Sequence, residues 1–281
     1  MRVTPAAVLL GAILVTAPAG AQAWRTIEVS RQLHDTAARR VSVEYSAGKL
    51  TVRAAEAPFL YQMWLRYDEA RGDPVHRSDD DGRTLHLGLR RESSGVSFRR
   101  RGEEGEMRLA LTKEAPLDLS FDMGAAQADL DLTGLALSDL RVRSGASETT
   151  LRIGAPNPVP MRALQIDVGA AALHATGLAN ANTGEVRVAG GVGGVELSFD
   201  GEWTRDIEAS ANVALGGLTV RVPSDVGVRV EVGKVLASFE HDGLVKRGDA
   251  YYSPNWDSAT RHLRLKAETV FGKLEVEQMA R

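Results

Sequence analysis

A chain of 281 residues with 34 basic and 37 acidic side chains, net charge −3, has no global drive toward nucleic acid or an anionic membrane. It contains no cysteine, which excludes disulfides, thiol redox chemistry and thiolate metal sites. At 43% hydrophobic residues it can bury a sizeable core or extend as one elongated domain, held by burial and hydrogen bonding alone.

Residues 1–23 read as a signal peptide. Arg2 supplies a positive start, an apolar stretch runs from Ala6 to Val15, Pro18 and Gly20 break it, and Ala21-Gln22-Ala23 offers a small-x-small cleavage site. The apolar run is about ten residues, short of the ~20 that cross a bilayer. A membrane anchor or a buried helix is the alternative reading. No cysteine follows the run, so it is not a lipoprotein signal, and no later segment reaches transmembrane length. The expectation is an exported chain, periplasmic or at the cell surface, without a transmembrane anchor after cleavage.

Residues 24–112 form an N-terminal β region. Val41, Val43 and Tyr45 alternate with polar residues, Gly48 makes a bend, and Leu50 and Val52 resume the alternation. Such alternation means strands with one buried face. Longer strands follow near 60–67, 84–89 and 107–111. Residues 24–40, with Trp24, Ile27, Val29 and Leu33, are expected to cover the first of the repeated units. Asp79-Asp80-Asp81-Gly82 lacks the spacing of a calcium loop and reads as a solvated turn. Arg99, Arg100 and Arg101 could touch phosphates or anionic glycans. Glu103, Glu104 and Glu106 follow at once, so a charged hairpin loop is the simpler reading.

Residues 113–281 repeat one unit, continuous with the preceding part: two short alternating pieces around a Gly- or Ala-rich bend. Leu117, Leu119 and Phe121 precede Gly124, and Leu130 and Leu132 follow it. Leu140 and Val142 precede Gly145, and Leu151 and Ile153 follow. Further copies centre on Gly169, Gly190-Gly191, Gly216-Gly217, Gly233 and Gly272. Taking Leu130, Leu151, Leu173, Val195, Leu218 and Phe239 as equivalent gives steps of 21, 22, 22, 23 and 21 residues. The step to Leu274 is 35 and implies an insertion around 251–258. A fixed period of this size marks a solenoid, because each unit is too small to bury its own apolar side. The fold class is therefore all-β: a β-helix-like solenoid of about eight short rungs, each hydrogen-bonded to the next. An antiparallel β-sandwich is the alternative. The Leu274 rung should be the open end, guarded by Lys273, Glu275 and Glu277.

Chemistry is sparse. The six histidines show no metal-ligand spacing, there is no G-x-S-x-G elbow, and the glycines at 190–194 lead into no helix. No cofactor is expected. Asp131, Glu196 and Glu275, with Arg152 and Thr219, fall at equivalent offsets and are expected to form one outer column. Such a column is a carboxylate pair for glycoside hydrolysis or a solvated face. Tyr251, Tyr252 and Trp256, in the insertion, are aromatic residues able to stack on a sugar or anchor a partner, or to pack over the last rungs.

The segment APLDLSFDMGAAQADLDLTGLALSDLRVRSGASETTLRIG resembles the toast-rack family of bacterial envelope proteins. That family overlaps with putative-adhesin domains and with the C-terminal domain of LiaF-like envelope-stress proteins. VAGGVGGVELSFDGEW, VALGGLTVRVPSDVGVRV, VFGKLEVE and VSVEYSAGKLTVRA follow the same pattern. The resemblance covers most of residues 41–278 and rests on structural glycines and alternating strands. It implies an extracytoplasmic β-solenoid without enzymatic activity. LiaF-like members carry membrane-spanning helices before this domain, and here a cleavable signal stands in that place.

The first functional expectation is a non-enzymatic envelope protein used for binding, adhesion or scaffolding, its partner an envelope protein or a glycan. The second is a polysaccharide-acting β-helix enzyme. Such helices stack asparagines at their turns, and Asn157, Asn180, Asn182, Asn212 and Asn255 show no common register. The third is a modulator of envelope-stress signalling through a membrane partner.

Overall fold

The computed structural model describes residues 24–70, 72–79, 82–90 and 105–280. The expected signal peptide, Asp80, Asp81, and Arg99, Arg100 and Arg101 lie outside them. The N-terminal region contributes β1 (Trp24–Gln32), β2 (Arg39–Ala54), β3 (Phe59–Asp68), β4 (Asp73–Asp79), β5 (Thr84–Arg90) and β6 (Glu106–Leu111). The repeats contribute β7 (Leu117–Asp131), β8 (Leu137–Ser144), β9 (Glu148–Arg152), β10 (Leu164–Thr176), β11 (Glu185–Ser198), β12 (Ile207–Pro223) and β13 (Gly227–His241). A hairpin, β14 (Val245–Arg247) and β15 (Ala250–Tyr252), precedes the last strand, β16 (His262–Met279).

Most rungs are one long strand folded at its bend into two limbs; in one rung the limbs are separate strands, β8 and β9. In β7 the buried positions are odd up to Met123 and even from Ala126 onward. Side chains alternate with period two, so a one-residue slip sends the next limb to the opposite face. The slip falls at Gly124–Ala125, where the chain turns, and both limbs then point into one interior. Neighbouring rungs are parallel, which an antiparallel sandwich would not give.

The core is built from ladders of equivalent residues. Val41, Leu119, Leu140, Leu164, Val186, Ala209, Leu265 and Val230 face one another from rung to rung, all buried. Burying each large aliphatic side chain stabilises the stack by about 1.5–3 kcal/mol before entropy is counted. The return segments close the third side with Leu132, Leu135, Leu178, Phe199 and Val226. A short 3-10 helix, Leu178–Ala181, lies in one of them. Asn157 and Asn180 sit buried in successive return segments. The Asn157 amide donates to the Asn180 carbonyl, and both side chains tie down main-chain groups of adjacent rungs.

Two features of the repeat differ from expectation. Leu151 faces Ala175, not Leu173, whose partner is Thr149. The offset between these rungs is 24, because the return segment containing Pro156, Pro158 and Pro160 is longer. A two-residue misassignment keeps the same face buried, so alternation conceals it. The second difference is rung order. The Leu274 rung is not the open end: β16 lies between β12 and β13, in parallel register with both. Its inward residues Leu263, Leu265, Ala267, Leu274 and Val276 are fully buried by that position, and β13 takes the end of the stack.

At the other end the first rung divides. The first limb of β2 pairs with β5, which pairs antiparallel with β4. The second limb pairs with β6, and β3 and β1 follow antiparallel. Residues 24–32 thus cover β3, with Ile27 and Val29 packed on the core, and Arg39 and Arg40 belong to the first rung itself.

Candidate functional site

The segment between β13 and β16 is the insertion that the 35-residue step implied. β15 pairs antiparallel with the first limb of β13, setting Tyr251 opposite Val230 and Tyr252 opposite Arg229. Adjacent residues on a strand point to opposite faces, so the two tyrosines part. Tyr251 turns to the end of the core and meets Phe239 edge-on, ring centroids 4.8 Å apart, with His241 at 5.3 Å. Tyr252 turns to the outer face. Its hydroxyl accepts a hydrogen bond from Arg229 Nε at 3.0 Å, and its ring meets Trp256 at 5.4 Å. Trp256 in turn packs on His262 at 4.6 Å, and its carbonyl oxygen lies 3.0 Å from His262 Nε2.

Cations of the same chain occupy these rings. Arg264 lies over Trp256 at 5.8 Å and pairs with Asp206. Arg247 lies over Tyr252 at 5.6 Å and pairs with Asp257. Lys246 lies over Tyr251 at 5.9 Å. Each contact is worth roughly 0.5–1 kcal/mol where exposed. All three aromatic residues are half-buried. The arrangement clamps the hairpin to the final rungs.

The expected carboxylate column divides in two. Asp131 is in register with Arg152, whereas Glu196, Thr219 and Glu275 are in register with one another and with His174. This follows from the 24-residue offset between β9 and β10. Glu196 receives Arg221 Nη1 at 3.0 Å and lies 3.3 Å from His174 Nδ1, and Arg221 also reaches Glu277 at 2.7 Å. The Arg221 hydrogen bond holds the Glu196 carboxyl below its ordinary range. Hydrogen bonds from Arg221 to Glu277 and Glu196 keep the guanidinium more firmly protonated. Among the described residues no group of three or more His, Asp or Glu is placed to hold a metal ion.

A different surface emerges at the bends. Just before the bend glycine, β11, β12 and β16 place Val192, Leu215 and Phe271, and β13 places Leu236 at the same level. These four are in register, in the order Val192, Leu215, Phe271, Leu236, on four adjacent strands. They are 51%, 48%, 46% and 67% exposed. The equivalent position in earlier rungs is Ala47, Ala125 and Ala170. The apolar column therefore grows from methyl groups to a projecting ridge along the stack. At ~4.8 Å per strand it spans about 15 Å. Gly193, Gly216 and Gly272 hold the bend with φ of 137°, 135° and 132°, and this turn carries the preceding side chain outward. The repeated apolar-Gly dipeptide, Val192-Gly193, Leu215-Gly216 and Phe271-Gly272, is the signal that could have found the ridge. The glycines by themselves read as bends, and the residues before them carry no alternation of their own.

Comparison with known proteins places the chain. A family model described as the N-terminal domain of toast_rack matches residues 19–161, just over half of the chain. No curated protein matches. Among solved structures, a "putative cell adhesion protein" from Clostridium sporogenes is 15% identical with a TM-score of 0.46, the match covering 91% of this chain and 100% of that one. A "putative adhesin" from Bacteroides fragilis is 10% identical with a TM-score of 0.42, covering 90% and 97%.

Proposed function

The chain belongs to the toast-rack family, and from that premise we propose that it is a non-enzymatic binding module of the cell envelope, exported and engaging a partner through the ridge at its bends. The observation that carries this reading is the ridge of Val192, Leu215, Phe271 and Leu236. Isolated apolar residues on a surface are ordinary, but four large ones in register on adjacent strands form a contiguous apolar strip of the kind that marks interaction sites. Glycine backbone borders the strip, so a partner can approach closely.

The enzyme reading draws less support. A glycoside hydrolase needs a carboxylic acid whose pKa is raised so that it can protonate a leaving group. Glu196 is shifted the other way by Arg221, and Glu275 is paired with Lys273 at 3.1 Å.

The test uses the chain from residue 24 onward, immobilised on beads and offered detergent-solubilised envelope membranes, purified peptidoglycan and soluble polysaccharides. Retention of one of these, lost in the double variant Leu215→Ser with Phe271→Ser, is the expected result. Release of reducing ends from any polysaccharide would overturn the non-enzymatic reading. Retention untouched by the two serines would remove the ridge. Selective retention of a sensor kinase from the membranes would instead favour the signalling role.

A further inference from the structure

The stack leaves one limb of its terminal rung without a neighbour. The first limb of β13 is covered by β15, but residues 236–241 pair only with β16 among the described strands. Other edges are guarded in recognisable ways. β4 carries Pro74 with Asp73, Arg77 and Asp79, β14 is three residues long, and β1 carries Arg25, Glu28 and Arg31. Residues 236–241, Leu-Ala-Ser-Phe-Glu-His, carry no proline, lysine or arginine, and their one carboxylate is Glu240.

The direction of the free groups follows from the ladder. In a parallel pair the amide and carbonyl of one residue point to the same side, and successive residues alternate. The Asp242 amide donates to the Val276 carbonyl at 3.1 Å, so residues 238, 240 and 242 face β16. Ala237, Phe239 and His241 therefore turn both main-chain groups away from it.

The side chains define what fits there. Glu240 and Asp242 stand on the outer face of this limb, beside Glu275 and Glu277 of β16. Together with Phe239, His241 and Val276 they line a shallow cleft of about 450 Å³. Lys273 bridges Glu240 and Glu275 at 2.8 and 3.1 Å, and Arg221 serves Glu277. No cation is paired with Asp242 among the described residues, so carboxylates remain in excess. On the inner face Phe239 is only partly buried, covered by Tyr251 on one side.

We propose that residues 236–241 capture an extended basic peptide segment as an added strand. Its main chain pairs with Ala237, Phe239 and His241. Its lysines or arginines, at every second position, lie beside Glu240 and Asp242, and the alternate apolar residues complete the burial of Phe239. Main-chain pairing supplies affinity and the alternate side chains supply selectivity. This site lies on the strand edge and does not depend on the ridge reading.

The experiment compares a fluorescent octapeptide alternating lysine and valine with its glutamate-valine counterpart. Binding to the chain from residue 24 onward is followed by anisotropy, and amide exchange is followed by mass spectrometry. The lysine peptide should bind at least about tenfold more tightly than the glutamate peptide, the effect of a few exposed charge pairs together. It should also slow exchange within 236–242. Glu240→Lys with Asp242→Lys, its fold checked by circular dichroism, should reverse the preference. Ala237→Pro removes one edge amide on the side where an edge strand tolerates proline, and should weaken both binding and protection. Equal binding of the two peptides, or binding without slowed exchange at 236–242, would overturn the proposal. So would concentration-dependent self-association that protects the same amides, which would assign the edge to a second copy of the chain.

Discussion

Gly272 lies on Gly216 of the next rung so closely that a Cβ added to Gly272 would stand 1.8 Å from the Gly216 carbonyl oxygen. Gly216 stands in the same relation to Gly193, at 1.9 Å. The bends of β11, β12 and β16 are therefore packed main chain on main chain, at φ values near +135° that side chains disfavour. Gly272→Ala should destabilise the fold by at least about 3 kcal/mol, combining backbone strain with the clash. Gly217, one residue past the same bend in β12, has open space around its Cβ direction, and Gly217→Ala should change stability by less than about 1 kcal/mol. Urea denaturation of the two variants is the measurement, and equal effects would refute the stacking argument.

Tyr252 and Trp256 should prove to be the clamp of the hairpin. Tyr252→Phe removes the hydrogen bond from Arg229 and should cost about 1 kcal/mol. Trp256→Ala removes the packing on Tyr252 and His262 and should cost about 2 kcal/mol or more. Both should speed amide exchange in residues 245–257 before the remainder of the chain. Loss of partner retention with unchanged exchange would instead make these residues a contact surface.

Acid should loosen the stack through its surface ion pairs. Glu44 accepts Arg90 Nε and Nη2 at 2.9 and 3.1 Å, and this hydrogen bonding holds its carboxyl below the ordinary 4.5, as Arg221 does for Glu196. The unfolded chain then binds protons more readily than the folded one. The contribution is fully present above pH 4.5 and is lost as pH falls through the depressed folded values. Urea midpoints measured from pH 6 to pH 3 should decline, and Glu44→Gln with Glu196→Gln should flatten part of that decline. A double variant with the same slope would show that other carboxylates carry it.

Removing β1 should uncover an edge. Among the described strands β1 pairs with β3 alone, over residues 24–32, and shields the edge of a strand rich in Tyr61, Met63 and Leu65. A chain beginning at residue 33 should form oligomers in sedimentation velocity at concentrations where the chain from residue 24 is uniform. A monodisperse truncated chain would deny β1 a protective role.

Much of the fold was legible because it is local. The alternation Val41, Val43, Tyr45 and the break at Gly48 describe β2 and its bend correctly, and the same pattern recurs in β7, β10, β11, β12 and β16. The insertion at 251–258 was visible as a lengthened step, and the structure fills it with the β14–β15 hairpin and the loop after it. The ridge was not legible, since Val192, Leu215 and Phe271 fall between the two alternating pieces of each unit, beside the bend glycines. Only the parity change at each bend turns them outward.

By itself the sequence determined the strands, their bends and the need for neighbours, because period-two burial and glycine's freedom at positive φ act within a few residues. It could not determine which rung stands beside which. Parallel pairing uses main-chain groups that every residue carries, and two rungs with the same alternation are interchangeable partners. The placement of β16 between β12 and β13, the division of the carboxylate column and the meeting of Leu215 with Phe271 were decided by the tertiary structure. The inward set of Leu263, Leu265, Ala267, Leu274 and Val276 is buried only where rungs cover β16 on both sides.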